Sequence, residues 1–169
     1  MHNSIFVGVG ANLTHERYGA PQQTLGAALE ELGHRGVQTL RLSPWYRTAP
    51  VPPSDQPWFV NAVAEVASEL PADALLAALH AVEAEFGRRR TVPNAARPID
   101  LDLLDYHGKI ASGGPGRATL PHPRMTGRAF VLRPLADLAP DWRHPVTGRS
   151  IRELLAALPP DQVAGRITS

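Results

Sequence analysis

Asp100 and Asp102 are separated by a single leucine in the run Ile99, Asp100, Leu101, Asp102, Leu103. A β-strand sends alternate side chains to opposite faces, so the two carboxylates share one face, about 7 Å apart, and the apolar residues share the other. Two carboxylates held so repel each other, and a hard divalent cation bound through carboxylate oxygen relieves the repulsion. Magnesium is the expected ion. The same spacing also describes an exposed strand face with two solvated aspartates. Arg88, Arg89, Arg90 and Arg97, all within twelve residues upstream, favour the first reading. Metal bridging phosphate oxygens, with guanidinium groups neutralising the remaining charge, is what a polyphosphate site requires. Taken alone, the arginine run also suits a solvated helix end. A third group, Leu120, Pro121, His122, Pro123, Arg124 and Met125 followed by Arg128, Ala129 and Phe130, sets a histidine and an arginine six residues apart. Both could reach the same phosphates from a loop, although a histidine between prolines is often structural.

These residues need a frame. Residues 4–9 read as a short strand running into a turn at 8–12, residues 22–32 as a helix with Leu25, Ala28, Leu29 and Leu32 on one side, and residues 37–42 as a second strand. The five prolines of residues 43–57 predict a stiff, exposed loop. A strand follows at 58–67, then a helix at 72–86 entered through Pro71, with Leu75, Leu76, Leu79, Val82 and Phe86 as its buried stripe. A second irregular stretch, 87–97, leads into the strand 98–106 that carries the acidic pair. Short strands are expected at 109–111 and 129–132, and a last helix at 151–158. The order β-α-β-β-α-β with C-terminal additions predicts an α+β sandwich of ferredoxin-like type, with a mostly antiparallel sheet. Both irregular segments flank strands that carry candidate residues, Asn61 and Asp100, and are expected to act as lids that order over bound ligands.

At 169 residues, 43% of them hydrophobic, the chain fits one domain, 1–169, with room for a core and a cleft. The absence of cysteine excludes disulfides, thiolate metal sites and cysteine nucleophiles. Of 17 cationic residues only Lys109 is a lysine. Arginine suits bidentate phosphate recognition, but a general bias can also follow genome composition, so only the placement of individual arginines carries weight. The first residues lack the basic flank and apolar run of a signal peptide, and no stretch approaches the roughly 18 apolar residues of a membrane span, so a cytoplasmic protein is expected. An Asp-x-Asp pair also holds metal-bound nucleotide sugars in glycosyltransferases. The small size and the lack of a Rossmann-like alternation count against that reading. An RNA-binding ferredoxin-like module would present aromatic and basic residues on its sheet, where this acidic pair would repel the backbone.

Six stretches together resemble the hydroxymethyldihydropterin pyrophosphokinase family, in the family's order, across residues 5–155. They are Gly10-Ala11-Asn12-Leu13; Tyr46-Arg47-Thr48-Ala49-Pro50; Asp55-Gln56-Pro57-Trp58-Phe59-Val60-Asn61; Glu83 with Gly87-Arg88; Arg97-Pro98-Ile99-Asp100-Leu101-Asp102; and Leu120-Pro121-His122 through Arg128-Ala129-Phe130. The resemblance implies that the β,γ-diphosphate of ATP passes to the hydroxymethyl group of 6-hydroxymethyl-7,8-dihydropterin and AMP leaves. It implies two magnesium ions on Asp100 and Asp102, bridging the α- and β-phosphates and the β- and γ-phosphates. His80, Glu83, Arg90, Leu103, Arg117, Thr119, His122 and Arg128 fall at ATP-binding positions, and Arg88 and Arg97 at positions that act on phosphates during lid closure. Phe59 and Phe130 fall where two aromatic rings sandwich the pterin, with Thr48, Ala49, Val51, Asn61 and Asp100 around its edge. The implied partners are these two substrates, with no nucleic acid or membrane, and the implied state is a monomer. The chain departs from the family at His80, where glutamine is common, at Ala49, where proline is frequent, and near Asn94, where some members carry a lid tryptophan.

Overall fold

The computed structural model describes residues 3–50, 52–87 and 99–167. Among these residues, six strands and four helices follow in the order β1 (Ile5–Ala11), α1 (Pro21–His34), β2 (Gln38–Leu42), β3 (Tyr46–Thr48), β4 (Phe59–Ala67), α2 (Ala72–Glu85), β5 (Asp100–Tyr106), α3 (Ala129–Leu138), α4 (Ile151–Ala156) and β6 (Ala164–Arg166), with a 3-10 turn at Met125–Gly127 before α3. The strands form one sheet in the order β5-β1-β4-β3-β6, and β2 pairs with β4 beside β3. Every pairing is antiparallel. The α+β class and the antiparallel sheet are as the sequence predicted.

β1 is buried along almost its whole length because both faces of the sheet are covered. On one face Ile5, Val7, Val9 and Ala11 join Leu25, Ala28 and Leu32 of α1 and Leu75, Leu79 and Val82 of α2. On the other, Phe6, Val63 and Leu104 meet Val131, Leu132, Leu135 and Leu138 of α3 and Ile151 and Leu154 of α4. The alternation of β5 is as expected: Ile99, Leu101 and Leu103 are buried against the α1/α2 side, whereas Asp100 and Asp102 are only partly covered.

Five expectations are corrected. β1 runs through both of its glycines to Ala11 instead of turning at residue 8. The segment 43–57 is not all exposed loop: Tyr46–Thr48, between Pro44 and Pro50, contains no proline and forms an interior strand paired to β4 and β6, with Tyr46 and Thr48 buried. Residues 129–132 are helical, because the apolar positions Val131, Leu132, Leu135 and Leu138 recur at helical spacing and pack as one stripe. Near 109–111 there is a single bridge, Ala111 to Leu120, and no strand. α4 starts where expected, on a capping box in which Ser150 Oγ accepts from Glu153 N at 3.1 Å, but ends at Ala156. The expected lid 87–97 lies, apart from Gly87, outside the described residues.

Candidate active site

The antiparallel register lines up one row across the sheet: Asp100 faces Gly10, Gly10 faces Asn61, and Asn61 faces Tyr46. Asp102 faces Gly8 in the parallel row two residues on. Glycines in a strand interior mark close approach. A Cβ on Gly10 would lie 2.4 Å from Asn61 Nδ2. The missing side chain therefore leaves space above the sheet into which the Asn61 amide leans. Thr48 Oγ1 donates to Asn61 Oδ1 at 2.6 Å, which fixes the orientation of that amide and leaves its NH2 as the donor end over Gly10.

Above this floor lies a cavity of about 140 Å³, lined by Gly10, Thr48, Ala49, Phe59, Asn61, Asp100, Arg128 and Phe130. Phe59 comes from the start of β4, and Phe130 from the first turn of α3. A smaller cleft beside it is bounded by Gly8, Gly10, Asp100, Asp102, Phe130 and Val131, so the two carboxylates and one aromatic wall border continuous space.

Positive charge converges on the acidic pair from the 122–128 turn. Arg128 NH1 is 3.8 Å from Asp102 Oδ2, and its guanidinium stands 5.3 Å over the Phe130 ring. Burial is the main influence lowering the Arg128 pKa, opposed by Asp102, and the group stays cationic at neutral pH. His122 Nε2 is 3.9 Å from Asp102 Oδ1. Burial, followed by the Arg128 and Arg124 charges, pushes the His122 pKa down to about 4. The imidazole is therefore neutral at pH 7; its Nδ1 accepts from Arg124 N at 3.2 Å, so Nε2 carries the proton and faces Asp102 as a donor, not as a second cation.

Among the described residues β5 is an edge strand of the sheet, and two of its outer backbone groups have partners. His122 N donates to Leu104 O at 2.9 Å, and the carboxylate of Glu83 on α2 accepts from Leu101 N at 2.8 Å. Glu83 is fully buried.

The structure thus brings Thr48, Ala49, Phe59, Asn61, Asp100, Asp102, His122, Arg128 and Phe130 around one cleft. It does not bring every expected residue there. Glu83 binds the outer edge of β5, His80 is exposed on α2, Leu103 has its side chain in the core, and Arg117 and Thr119 are exposed on the 111–120 loop. Val51, Arg88, Arg90 and Arg97 lie outside the described residues. Sequence reasoning assigned no role to Gly10, which it read as part of a turn; its place inside β1 emerges only from the pairing with β4 and β5. It also gave none to Asn12, whose Nδ2 donates to Gln56 Oε1 and Pro57 O at 3.1 and 3.2 Å and ties the end of β1 to the segment before Phe59.

A family model for 7,8-dihydro-6-hydroxymethylpterin-pyrophosphokinase matches residues 6–140. The chain is 41% identical over 160 residues to the 2-amino-4-hydroxy-6-hydroxymethyldihydropteridine pyrophosphokinase of Pseudomonas aeruginosa, with 94% of each chain covered. It is 37% identical to the protein of the same name from Methylorubrum extorquens, over 94% of this chain and 95% of that one. It is also 36% identical to the folic acid synthesis protein fol1 of Pneumocystis carinii, a match that takes in 89% of this chain but spans only 19% of the fungal protein. The order of the matched residues and the cleft they surround agree with these likenesses, and the chain belongs to the 7,8-dihydro-6-hydroxymethylpterin-pyrophosphokinase family.

Proposed function

We propose that this chain transfers the β,γ-diphosphate of ATP to the hydroxymethyl group of 6-hydroxymethyl-7,8-dihydropterin in folate biosynthesis, with the pterin between Phe59 and Phe130 and the triphosphate over Asp100 and Asp102. The observation that carries this reading is the row Asp100, Gly10, Asn61 across three strands, which joins an acidic, phosphate-facing edge to a cavity with aromatic walls and a polar floor. The pterin oxygen attacks the β-phosphorus, the bond from that phosphorus to the α,β-bridging oxygen breaks, AMP departs, and the hydroxyl proton is released. A flat heterocycle gains from offset stacking on both rings. Its buried polar edge needs matched partners, which the Asn61 amide, ordered by Thr48, and the Asp100 carboxylate provide. Arg128 and His122 face phosphate charge beside Asp102.

The acidic pair fits magnesium. Among the described residues no three His, Asp or Glu side chains gather as a metal cage. Two carboxylates with open space beside them match the habit of magnesium at nucleotide sites, where phosphate oxygens and water complete the shell. When bound, the metal supplies charge neutralisation and polarisation of the phosphoryl oxygens. We read Asp100 and Asp102 as ligands of two such ions. Arg88, Arg90 and Arg97 are read from the sequence as further phosphate contacts, with Val51 at the pterin edge. The chain is read as one domain, acting as a monomer in the cytoplasm; no helix among the described residues is long and apolar enough to cross a membrane.

Titration calorimetry separates this reading from its competitors. Heat is expected with magnesium and a non-hydrolysable ATP analogue, and none with a nucleotide sugar and manganese or with single-stranded RNA. Heat only in one of the latter two overturns it. Phe130→Ala is expected to weaken pterin binding by about two- to twelve-fold, the equivalent of ~0.5–1.5 kcal/mol of stacking, while ATP affinity changes little. Equal losses for both ligands would make Phe130 a structural residue. Gly10→Ala should push the Asn61 amide off its Thr48 partner and lower kcat/KM for the pterin at least about tenfold, or ~1.4 kcal/mol. Unchanged steady-state kinetics would show that the Asn61 amide takes no part in recognition.

A further inference from the structure

The first N–H groups of a helix have no partner within it, and side chains at the N-cap usually supply one. α3 begins at Ala129 with Arg128 at its N-cap, and no cap is made by that side chain. The partner comes from far along the chain. Gln162 Oε1 accepts from Ala129 N at 2.8 Å, and Gln162 Nε2 donates to Gly127 O at 2.8 Å. One amide therefore grips the backbone on both sides of Arg128, and Phe130 follows one residue later.

The segment that carries Gln162 is itself fastened to the opposite wall of the cavity. Val163 O accepts from Ala49 N at 3.1 Å, β6 pairs with β3 from Thr48 back to Tyr46, and Ile167 N donates to Trp45 O at 2.8 Å. Arg166 binds Asp137 and the Tyr46 hydroxyl. Residues 162–167 thus run from the Thr48/Ala49 wall to the Arg128/Phe130 wall. Gln162 lies beyond residues 6–140, the part that the family model matches.

We infer that Gln162 is a positioning residue for the transfer reaction: it sets the separation of the two cavity walls by bracing residues 127–129 against β3, and so aims Arg128 at Asp102 and holds Phe130 over the pterin. The inference rests on the pterin reading of the cavity given above. A brace of this kind acts through geometry, where a displacement of about 1 Å can cost on the order of a hundredfold in rate.

The test compares four variants at a temperature where all are folded. Gln162→Ala removes the brace, and Gln162→Met keeps its length without its hydrogen bonds. Arg166→Ala loosens β6 from Asp137 and Tyr46 without touching residues 127–130, and Phe130→Ala reports on the pterin site itself. Steady-state kinetics and thermal melts are recorded for each. Both Gln162 variants are expected to lose about tenfold in kcat/KM for the pterin, whereas Arg166→Ala lowers Tm but keeps kcat/KM within about twofold of wild type. If Gln162→Met retains wild-type kinetics while Phe130→Ala is impaired, the brace is wrong and the pterin reading stands. If the Gln162 and Arg166 variants lose activity together and in step with Tm, the segment only stabilises the fold. If Phe130→Ala keeps the wild-type kcat/KM for the pterin, the reading of the cavity fails, and the inference fails with it.

Discussion

Asp100→Ala and Asp102→Ala are each expected to abolish diphosphate transfer while leaving the fold intact. The two carboxylates share the partly covered face of β5, the residues between and beside them fill the core, and neither carboxylate is needed to bury that core. Removing one takes away oxygen ligands that a nucleotide-bound cation requires and leaves Arg128 facing less opposing charge. Relief of repulsion between the two aspartates offsets the loss of their ion-pair contacts, so Tm should hold or rise slightly. Either variant retaining more than about a tenth of wild-type activity, a loss under ~1.4 kcal/mol of transition-state stabilisation, would contradict the metal role.

The second large effect is expected at Glu83. Its carboxylate accepts the Leu101 N–H, the backbone group lying between the two aspartates on the outer edge of β5, and it does so fully buried. We propose that it serves the site by fixing this strand. Glu83→Ala leaves a buried donor without its partner, which costs roughly 1.5–3 kcal/mol when the lost partner is a charged group. For a domain of this size that lowers Tm by about 3–12 °C. Activity should fall with it, because Asp100 and Asp102 take their positions from that backbone. Glu83→Gln keeps a carbonyl acceptor at the same reach and should recover most of both losses. A Glu83→Ala variant with an unchanged melt and a selective loss of ATP affinity would instead make Glu83 a nucleotide contact.

The acidic pair was legible because everything that defines it is local. Alternation along β5 separates Asp100 and Asp102 from Ile99, Leu101 and Leu103 whatever the rest of the chain does. The helical stripes of α1 and α2 were legible for the same reason, and so was the mostly antiparallel sheet, which follows from the order of elements. Several misreadings arose where the deciding partner is distant, although the apolar spacing of α3 was itself local. Tyr46–Thr48 is a strand because β4 and a C-terminal segment pair with it on either side, and the flanking prolines gave the opposite local signal. Ala129–Leu138 lacks a Ser, Thr, Asp or Asn at its start because Gln162, 33 residues away, caps it. Ala164–Arg166 has a poor strand composition and pairs only because β3 offers an edge. Glu83 was within reach of sequence reasoning: it shares the buried face of α2 with Leu79 and Val82, where a carboxylate must have a partner. Nothing local indicated that this partner is the backbone beneath the acidic pair.

The fate of the phosphates tests the diphosphate transfer most directly. The protein is incubated with ATP, magnesium and 6-hydroxymethyl-7,8-dihydropterin, and the nucleotide product is identified by chromatography. Attack at the β-phosphorus predicts AMP in equal amount to a pterin diphosphate, with formation dependent on the pterin. ADP with a pterin monophosphate would place the attack at the γ-phosphorus and contradict the diphosphate transfer assigned to this chain.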